Sequence, residues 1–100
     1  MIRHEIILRI KPEIPRERID QALREAREYM SEIPGVERVR SGVNNTAAYR
    51  HAMVAVDLDD ESALHRFQRH PLHVRAIRIL SRMAESTAVG SYLVGSRFHR

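Results

Sequence analysis

The sequence His70-Pro71-Leu72-His73-Val74, preceded by the strand-like run YRHAMVAVD at residues 49–57, determines how the rest of the chain is interpreted. Proline is favoured at the first position of a helix, because its φ is fixed and it has no N–H to leave unpaired. We therefore predict a helix that begins at Pro71, with His70 just before it and His73 in its first turn. The positive end of the helix dipole opposes protonation there, so His73 is expected to be neutral near pH 7 and able to accept a proton.

Length and composition predict one globular domain over residues 1–100. The chain is 43% hydrophobic and 30% charged, with four glycines and four prolines, which excludes a disordered or fibrous protein. It has no cysteine, which excludes disulfides, thiol catalysis and thiolate metal sites and agrees with a reducing compartment. Residues 1–5 are charged where a signal peptide would be apolar, and no apolar run approaches the roughly 20 residues that span a bilayer. We expect a cytoplasmic protein with no membrane partner.

The formal net charge is +4, from 17 basic and 13 acidic residues. An excess of arginine can favour nucleic acid or another acidic partner. The arginines form two groups along the chain rather than one block, and acidic residues interrupt the first: Arg16, Arg18, Arg24 and Arg27, then Arg66, Arg69, Arg75, Arg78 and Arg82. We interpret them mainly as solvated helix faces and expect no nucleic-acid partner.

Strict alternation of apolar and polar residues predicts a first strand over residues 2–10. One face of this strand carries Ile2, His4, Ile6, Leu8 and Ile10. His4 is therefore expected to point into the core, where a buried ring needs a hydrogen-bond partner.

The remaining elements follow from periodicity and from the positions of proline and glycine. Apolar residues at spacings of three and four predict a helix over residues 16–33, ended by Pro34-Gly35. We predict a second strand over 36–43, with Val36, Arg38 and Arg40 on one face and Glu37, Val39, Ser41 and Val43 on the other. The predicted elements that follow are a strand over 48–58, a short helix after Asp60, a helix over 71–85 and a strand over 87–94. The order β-α-β-β-α-β, with its second helix broken at Pro71, predicts a ferredoxin-like α+β sheet with helices on one face.

The third strand is apolar on both faces. Tyr49, His51, Met53 and Ala55 alternate with Ala52, Val54, Val56 and Leu58. A strand buried on both sides needs two covering layers, and this chain's helices supply one. The second is expected from another copy, so that two sheets close into a barrel-like homodimer. If His51 faces the helices, Ala52, Val54 and Val56 face the partner.

Four short motifs resemble the stress-responsive dimeric α/β barrel (Dabb) family. They are Met1-Ile2-Arg3-His4, Ile33-Pro34-Gly35-Val36, Tyr49-Arg50-His51 and His70-Pro71-Leu72-His73-Val74, in the family's order and spacing over about residues 2–95. The resemblance implies a ferredoxin-like fold, a homodimer, and a pocket between sheet and helices in each subunit. Plant members include a polyketide cyclase that performs an intramolecular aldol condensation without a cofactor, and we accordingly expect no cofactor.

The resemblance also implies a set of site residues. In the cyclase the histidine that matches His73 is the base, a tyrosine assists it, and histidines that match His4 and His51 line the site. This chain keeps the three histidines, but Phe67 replaces the tyrosine and has no hydroxyl to orient the imidazole or stabilise an enolate. Tyr49 is the nearest substitute. The candidate catalytic residues are His73, His4, His51 and Tyr49, with Phe67 and His70 as pocket residues.

Other interpretations of these residues remain open. His65, His70 and His73 could suggest a metal site, but a supporting carboxylate or thiolate in the usual spacing is missing, so we expect no metal. His4 and His51 have an alternative role as core histidines that tie a strand to a neighbouring element. An RNA-binding sheet of the same order is set aside, because it needs aromatic residues on its central strands.

Three functions remain. The first is a cyclase or related lyase with His73 as base. The second is a non-catalytic dimeric module that responds to stress or binds a small hydrophobic or acidic ligand. The third is a cofactor-free monooxygenase of the same superfamily.

Overall fold

The computed structural model describes residues 1–44 and 50–95. Its elements are β1 (Ile2–Ile10), α1 (Arg16–Ser31), β2 (Val36–Asn44), β3 (His51–Leu58), α2 (Glu61–Arg69), α3 (Pro71–Ser81) and β4 (Ala84–Leu93). The strands form one sheet in the order β2-β3-β1-β4, and every neighbouring pair is antiparallel. The predicted ferredoxin-like α+β fold is confirmed. In the described part of the chain, no helix is long and apolar enough to cross a membrane.

A side-chain cap begins each of α2 and α3, and the second one lies at the break between them. The Asp60 carboxylate accepts a hydrogen bond from the Ala63 N–H at 2.8 Å and begins α2. His70 has extended backbone angles, and its Nδ1 accepts a hydrogen bond from the Leu72 N–H at 3.1 Å. Each cap satisfies an N–H that the first turn of a helix leaves unpaired. The prediction that a helix begins at Pro71, with His73 in its first turn, is confirmed.

The core lies between one face of the sheet and the helices. The buried face of β1 is the predicted one, because Ile6 and Leu8 are buried and His4 is 3% exposed. The core side chains come from every helix and both central strands: Ile2, Ile6, Leu8, Ile10, Ile19, Leu23, Ala26, Met30, Ala52, Val54, Val56, Leu58, Phe67, Ala76 and Leu80. We call this side the helix face and the other side the open face.

The structure decides the orientation of β3, which the sequence left open. Ala52, Val54 and Val56 are each 0% exposed and lie opposite Leu8, Ile6 and His4 on the helix face. Of the two orientations that the sequence left open, the strand adopts the one in which Ala52, Val54 and Val56 face the helices and His51 does not. His51 lies opposite Arg9, on the open face with Met53.

The predicted alternation in β2 holds from Arg38 to Val43 but is wrong at Val36, because the strand contains an irregularity. The register shifts between Val36 and Arg38, so that Val36 lies opposite Leu58 and Val39 opposite Val56. An extra residue in one strand reverses the alternation that follows it. Val36 and Val39 consequently share the helix face.

Gly35 makes the connection from α1 to β2 possible. Its φ is +90°, a value that side chains with a Cβ rarely adopt, and a Cβ built there lies 2.8 Å from the Cβ of Ala63. The Gly35 carbonyl accepts a hydrogen bond from the Asp59 N–H at 3.0 Å. This close approach brings the α1–β2 connection against the start of α2.

Candidate functional site: a cluster of His4, Phe67 and His73

Two of the four candidate catalytic residues meet around one aromatic ring. His4 comes from β1, Phe67 from α2 and His73 from α3. The Phe67 ring centroid lies 5.9 Å from that of His4 and 4.7 Å from that of His73, both in edge-to-face contact. Phe67 is 0% exposed, so it forms a buried apolar surface, here called the floor, that contacts both imidazoles.

His4 is held from the neighbouring strand. Its Nδ1 lies 2.7 Å from the Ser91 Oγ, and the two residues are directly opposite each other in the β1–β4 pairing. Burial lowers the pKa of His4, and the nearby charge of His73 lowers it further. The sequence predicted that a buried His4 needs a partner, but it did not identify Ser91, because only the strand register shows which residue lies opposite.

His73 has an unpaired nitrogen. It is half-buried, and its Nδ1 is the one buried side-chain polar atom without a hydrogen-bond partner in residues 1–44 and 50–95. Burial lowers the pKa of His73, and the nearby main chain of Gln68 opposes this in part. His73 is therefore neutral at pH 7, and its buried Nδ1 is left without a hydrogen-bond partner among the described residues.

The other sequence candidates lie elsewhere. His51 is on the open face, so the sheet separates it from His4 and His73. Tyr49 lies outside the described residues. His70 acts as the N-cap of α3 through its Nδ1. In the described ranges, no group of three or more His, Asp or Glu side chains is arranged to hold a metal ion.

The cluster is open towards β4. Val89 and Leu93 lie opposite Ile6 and Ile2 on the helix face, yet they are 59% and 70% exposed. The helices therefore cover β1 but leave β4 bare. Two cavities lie away from the cluster, about 170 Å³ between α1 and α3 and about 350 Å³ between α1 and β2, and His4, Phe67 and His73 line neither.

The open face combines an ion-pair network with apolar side chains. Asp57 is 5% exposed and accepts hydrogen bonds from Arg3 at 2.7 and 3.2 Å and from Arg40 at 3.5 Å. The Arg3 guanidinium lowers the pKa of Asp57. Ile7 and Met53, neighbours across β1 and β3, are 37% and 42% exposed on the same face.

The fold and the cluster place the molecule among small ferredoxin-like α+β proteins with helices on one side of the sheet. The chain matches the model of the Stress responsive A/B Barrel Domain over residues 2–93 and belongs to that family. The family predicted from the four motifs is thereby confirmed. No match was found among curated proteins.

Solved structures share this fold at low sequence identity. A dimeric ferredoxin-like protein of unknown function from Thermobifida fusca is 24% identical, with a TM-score of 0.79 over 93% of this chain and 90% of that chain. A protein from Arabidopsis thaliana is 16% identical, with a TM-score of 0.84 over 99% and 100% of the two chains. A hydroxynitrile lyase from Passiflora edulis is 17% identical, with a TM-score of 0.79 over 98% and 96%. At these identities the similarity establishes the fold.

Proposed function

We propose that this protein is a homodimeric, cofactor-independent enzyme of cyclase or lyase type in which His73 removes a proton from the substrate. The observation that carries the proposal is the unpaired, buried Nδ1 of His73 on a ring whose pKa is lowered by burial. A neutral imidazole with an unused nitrogen is suited to general base catalysis at neutral pH.

In a cyclase reaction, the base removes a proton from a carbon next to a carbonyl, and the enolate oxygen then needs a hydrogen-bond donor. Phe67 has no hydroxyl, and His51 lies on the wrong face of the sheet. His4 is the best remaining donor. If the Ser91 hydroxyl donates to its Nδ1, the His4 proton resides on Nε2 and is available to the enolate. His73 and His4 then act as base and hydrogen-bond donor over the floor formed by Phe67.

A lyase reaction uses the same base differently. In cleavage of a cyanohydrin, His73 removes the hydroxyl proton, the carbonyl forms, and the carbon–carbon bond breaks with release of cyanide. The fold shared with the Passiflora edulis hydroxynitrile lyase favours this second chemistry as an alternative. Both reactions begin with proton removal at His73, so one variant tests them together.

The experiment uses two simple compounds in place of the natural substrate. Exchange of the methyl protons of acetophenone in D₂O, followed by NMR, detects proton removal next to a carbonyl, and mandelonitrile cleavage detects lyase activity. We expect the wild type to accelerate one of these reactions. His73→Ala should abolish the acceleration, and His65→Ala on the exposed face of α2 should preserve it.

Full activity of folded His73→Ala would refute the role of His73. A wild type inactive towards both compounds that nevertheless binds acetophenone at the cluster would favour the non-catalytic ligand-binding module. Circular dichroism of each variant shows whether the fold is retained.

The homodimer is proposed to form through the open face. Ile7 and Met53 offer apolar contact there, and the Thermobifida fusca relative of the same fold is described as dimeric. Light scattering should give twice the monomer mass of 11.6 kDa. Met53→Asp should yield a folded monomer, because it places a charge in the interface only. Val54→Asp, on the helix face, should unfold the chain, and a folded wild-type monomer at micromolar concentration would contradict the proposal.

A further inference from the structure

A cationic groove lies between α1 and β2, away from the histidine cluster. It has a volume of about 350 Å³ and is lined mainly by Arg16, Asp20, Arg24, Arg27, Ser41 and Val43. β2 and β4 are the opposite edges of the sheet, so the groove and the open side of the histidine cluster lie at opposite edges. The groove therefore has no part in the proton transfer proposed for His73.

The groove carries unbalanced positive charge. The Arg16 guanidinium is paired with the Asp20 carboxylate at 3.1 Å, which neutralises one arginine. Arg24 forms no ion pair or hydrogen bond within the described ranges, and Arg27 donates a hydrogen bond to the Ser41 hydroxyl. Two guanidinium groups thus face the groove without a carboxylate partner.

The bond between Arg27 and Ser41 fixes the geometry of the groove. It holds the guanidinium of Arg27, which is half-buried, against the edge strand and leaves the Ser41 proton free to point outwards. Arg24 lies three residues before Arg27 on α1, about one helical turn away, so the two guanidinium groups lie on one face of the helix. A planar guanidinium binds phosphate oxygens in pairs, which an ammonium group does not do.

We propose that this groove binds a small phosphate monoester. The phosphate would lie between Arg24 and Arg27, with the Ser41 hydroxyl as an additional donor, and the organic part would contact Val43 and Leu23. The volume of about 350 Å³ is at the lower end of the range for small-molecule sites, roughly 300 to 1,000 Å³. Its limited size favours a single small molecule over a nucleic-acid strand, which needs an extended basic track.

The test is an NMR titration of the intact protein with phenyl phosphate, inorganic phosphate and phenol. We expect saturable shifts at the Nε–H groups of Arg24 and Arg27 and at the amides of Ser41 and Val43. Phenyl phosphate should bind more tightly than inorganic phosphate, and phenol should not bind. If inorganic phosphate binds as tightly as phenyl phosphate, the organic part makes no contact and the assignment to a monoester fails.

Matched variants separate a built site from general charge. Arg24→Gln removes a side chain without a hydrogen bond in the described ranges, so the fold should persist, and affinity for phenyl phosphate should fall about tenfold. Arg27→Lys keeps the charge but loses the paired hydrogen bonds, and it should weaken binding as well. Arg78→Gln removes the same charge from the exposed face of α3 and should change affinity less than about twofold.

Equal losses for Arg24→Gln and Arg78→Gln would overturn the proposal, because they would show attraction to overall charge alone. Tighter binding of a single-stranded oligonucleotide than of phenyl phosphate would also overturn it, in favour of a nucleic-acid surface. Neither outcome depends on whether His73 is catalytic.

Discussion

Replacement of Phe67 should change the stability of the protein and the protonation of both histidines together. The ring is 0% exposed and contacts His4 and His73 at centroid distances of 5.9 and 4.7 Å. Phe67→Ala should lower the free energy of unfolding by about 3–5 kcal/mol through lost burial and the cavity left behind. The total free energy of unfolding of a domain of this size is only about 5–15 kcal/mol, so Phe67→Ala could unfold the protein. Phe67→Leu should lower the free energy of unfolding by roughly 1–2 kcal/mol and is therefore the better variant for measurement.

The coupling to protonation follows from the effect of burial on the two imidazoles. Burial lowers the pKa of His4 and of His73, so the folded protein binds fewer protons than the unfolded chain just below pH 6.5. The wild-type free energy of unfolding should therefore fall as pH is lowered from 7 to 5.5. For each histidine that is protonated only in the unfolded chain, the free energy of unfolding falls by about 1.4 kcal/mol when the pH falls by one unit. Opening the floor lets water reach both rings, so Phe67→Leu should raise both pKa values and flatten this pH dependence.

Urea unfolding at pH 7 and pH 5.5, with NMR titration of the histidine rings, measures both effects. Leu23→Ala is the control, because Leu23 is 3% exposed in the same core but belongs to α1, which carries none of the three clustered rings. It should lower stability by about 2–5 kcal/mol and leave the histidine titrations unchanged. If Phe67→Leu lowers stability while both histidines keep their wild-type pKa values, Phe67 does not control their protonation and the reasoning is refuted.

Two further predictions concern packing. Leu80 is 1% exposed, so Leu80→Ala should lower the free energy of unfolding by about 2–5 kcal/mol. Ile77 is half-buried, although the sequence alone did not distinguish it from Leu80, and Ile77→Ala should lower the free energy of unfolding by less than about 2 kcal/mol. Equal losses for the two variants in urea unfolding would contradict the packing of α3. Gly35→Ala should lower the thermal midpoint of unfolding, because its φ of +90° is strained for alanine and its Cβ meets Ala63 at 2.8 Å, and an unchanged midpoint would contradict that close approach.

The sequence predicted the face of a strand only where its two faces differ in polarity. In β1, Arg3, Glu5 and Arg9 alternate with aliphatic residues, so the inward direction of His4 followed directly and is confirmed. In β3 both alternations are apolar, and a shift of one residue exchanges the faces without an obvious penalty. Resemblance to the family then placed His51 beside His73, whereas the structure places it on the open face.

Other features depend on contacts between distant residues, which a single sequence does not encode locally. The residue opposite His4 became known only from the β1–β4 register, since Ser91 is 87 positions away. The irregularity at the start of β2 has no glycine within the shifted segment to announce it. By contrast, the break at Pro71 was predictable because proline chemistry acts on its immediate neighbours.

The exposed helix face of β4 lies beside the histidine cluster but outside the hydrophobic core. Thr87, Val89 and Leu93 share a face with the histidine cluster but are exposed, so they contribute little to the folded core. Exchanges at such surface positions usually change the free energy of unfolding by only about 0.5 kcal/mol. For the activity proposed here, ligand preference can therefore diverge along one strand edge by single substitutions that the fold tolerates, while His4, Phe67 and His73 stay in place.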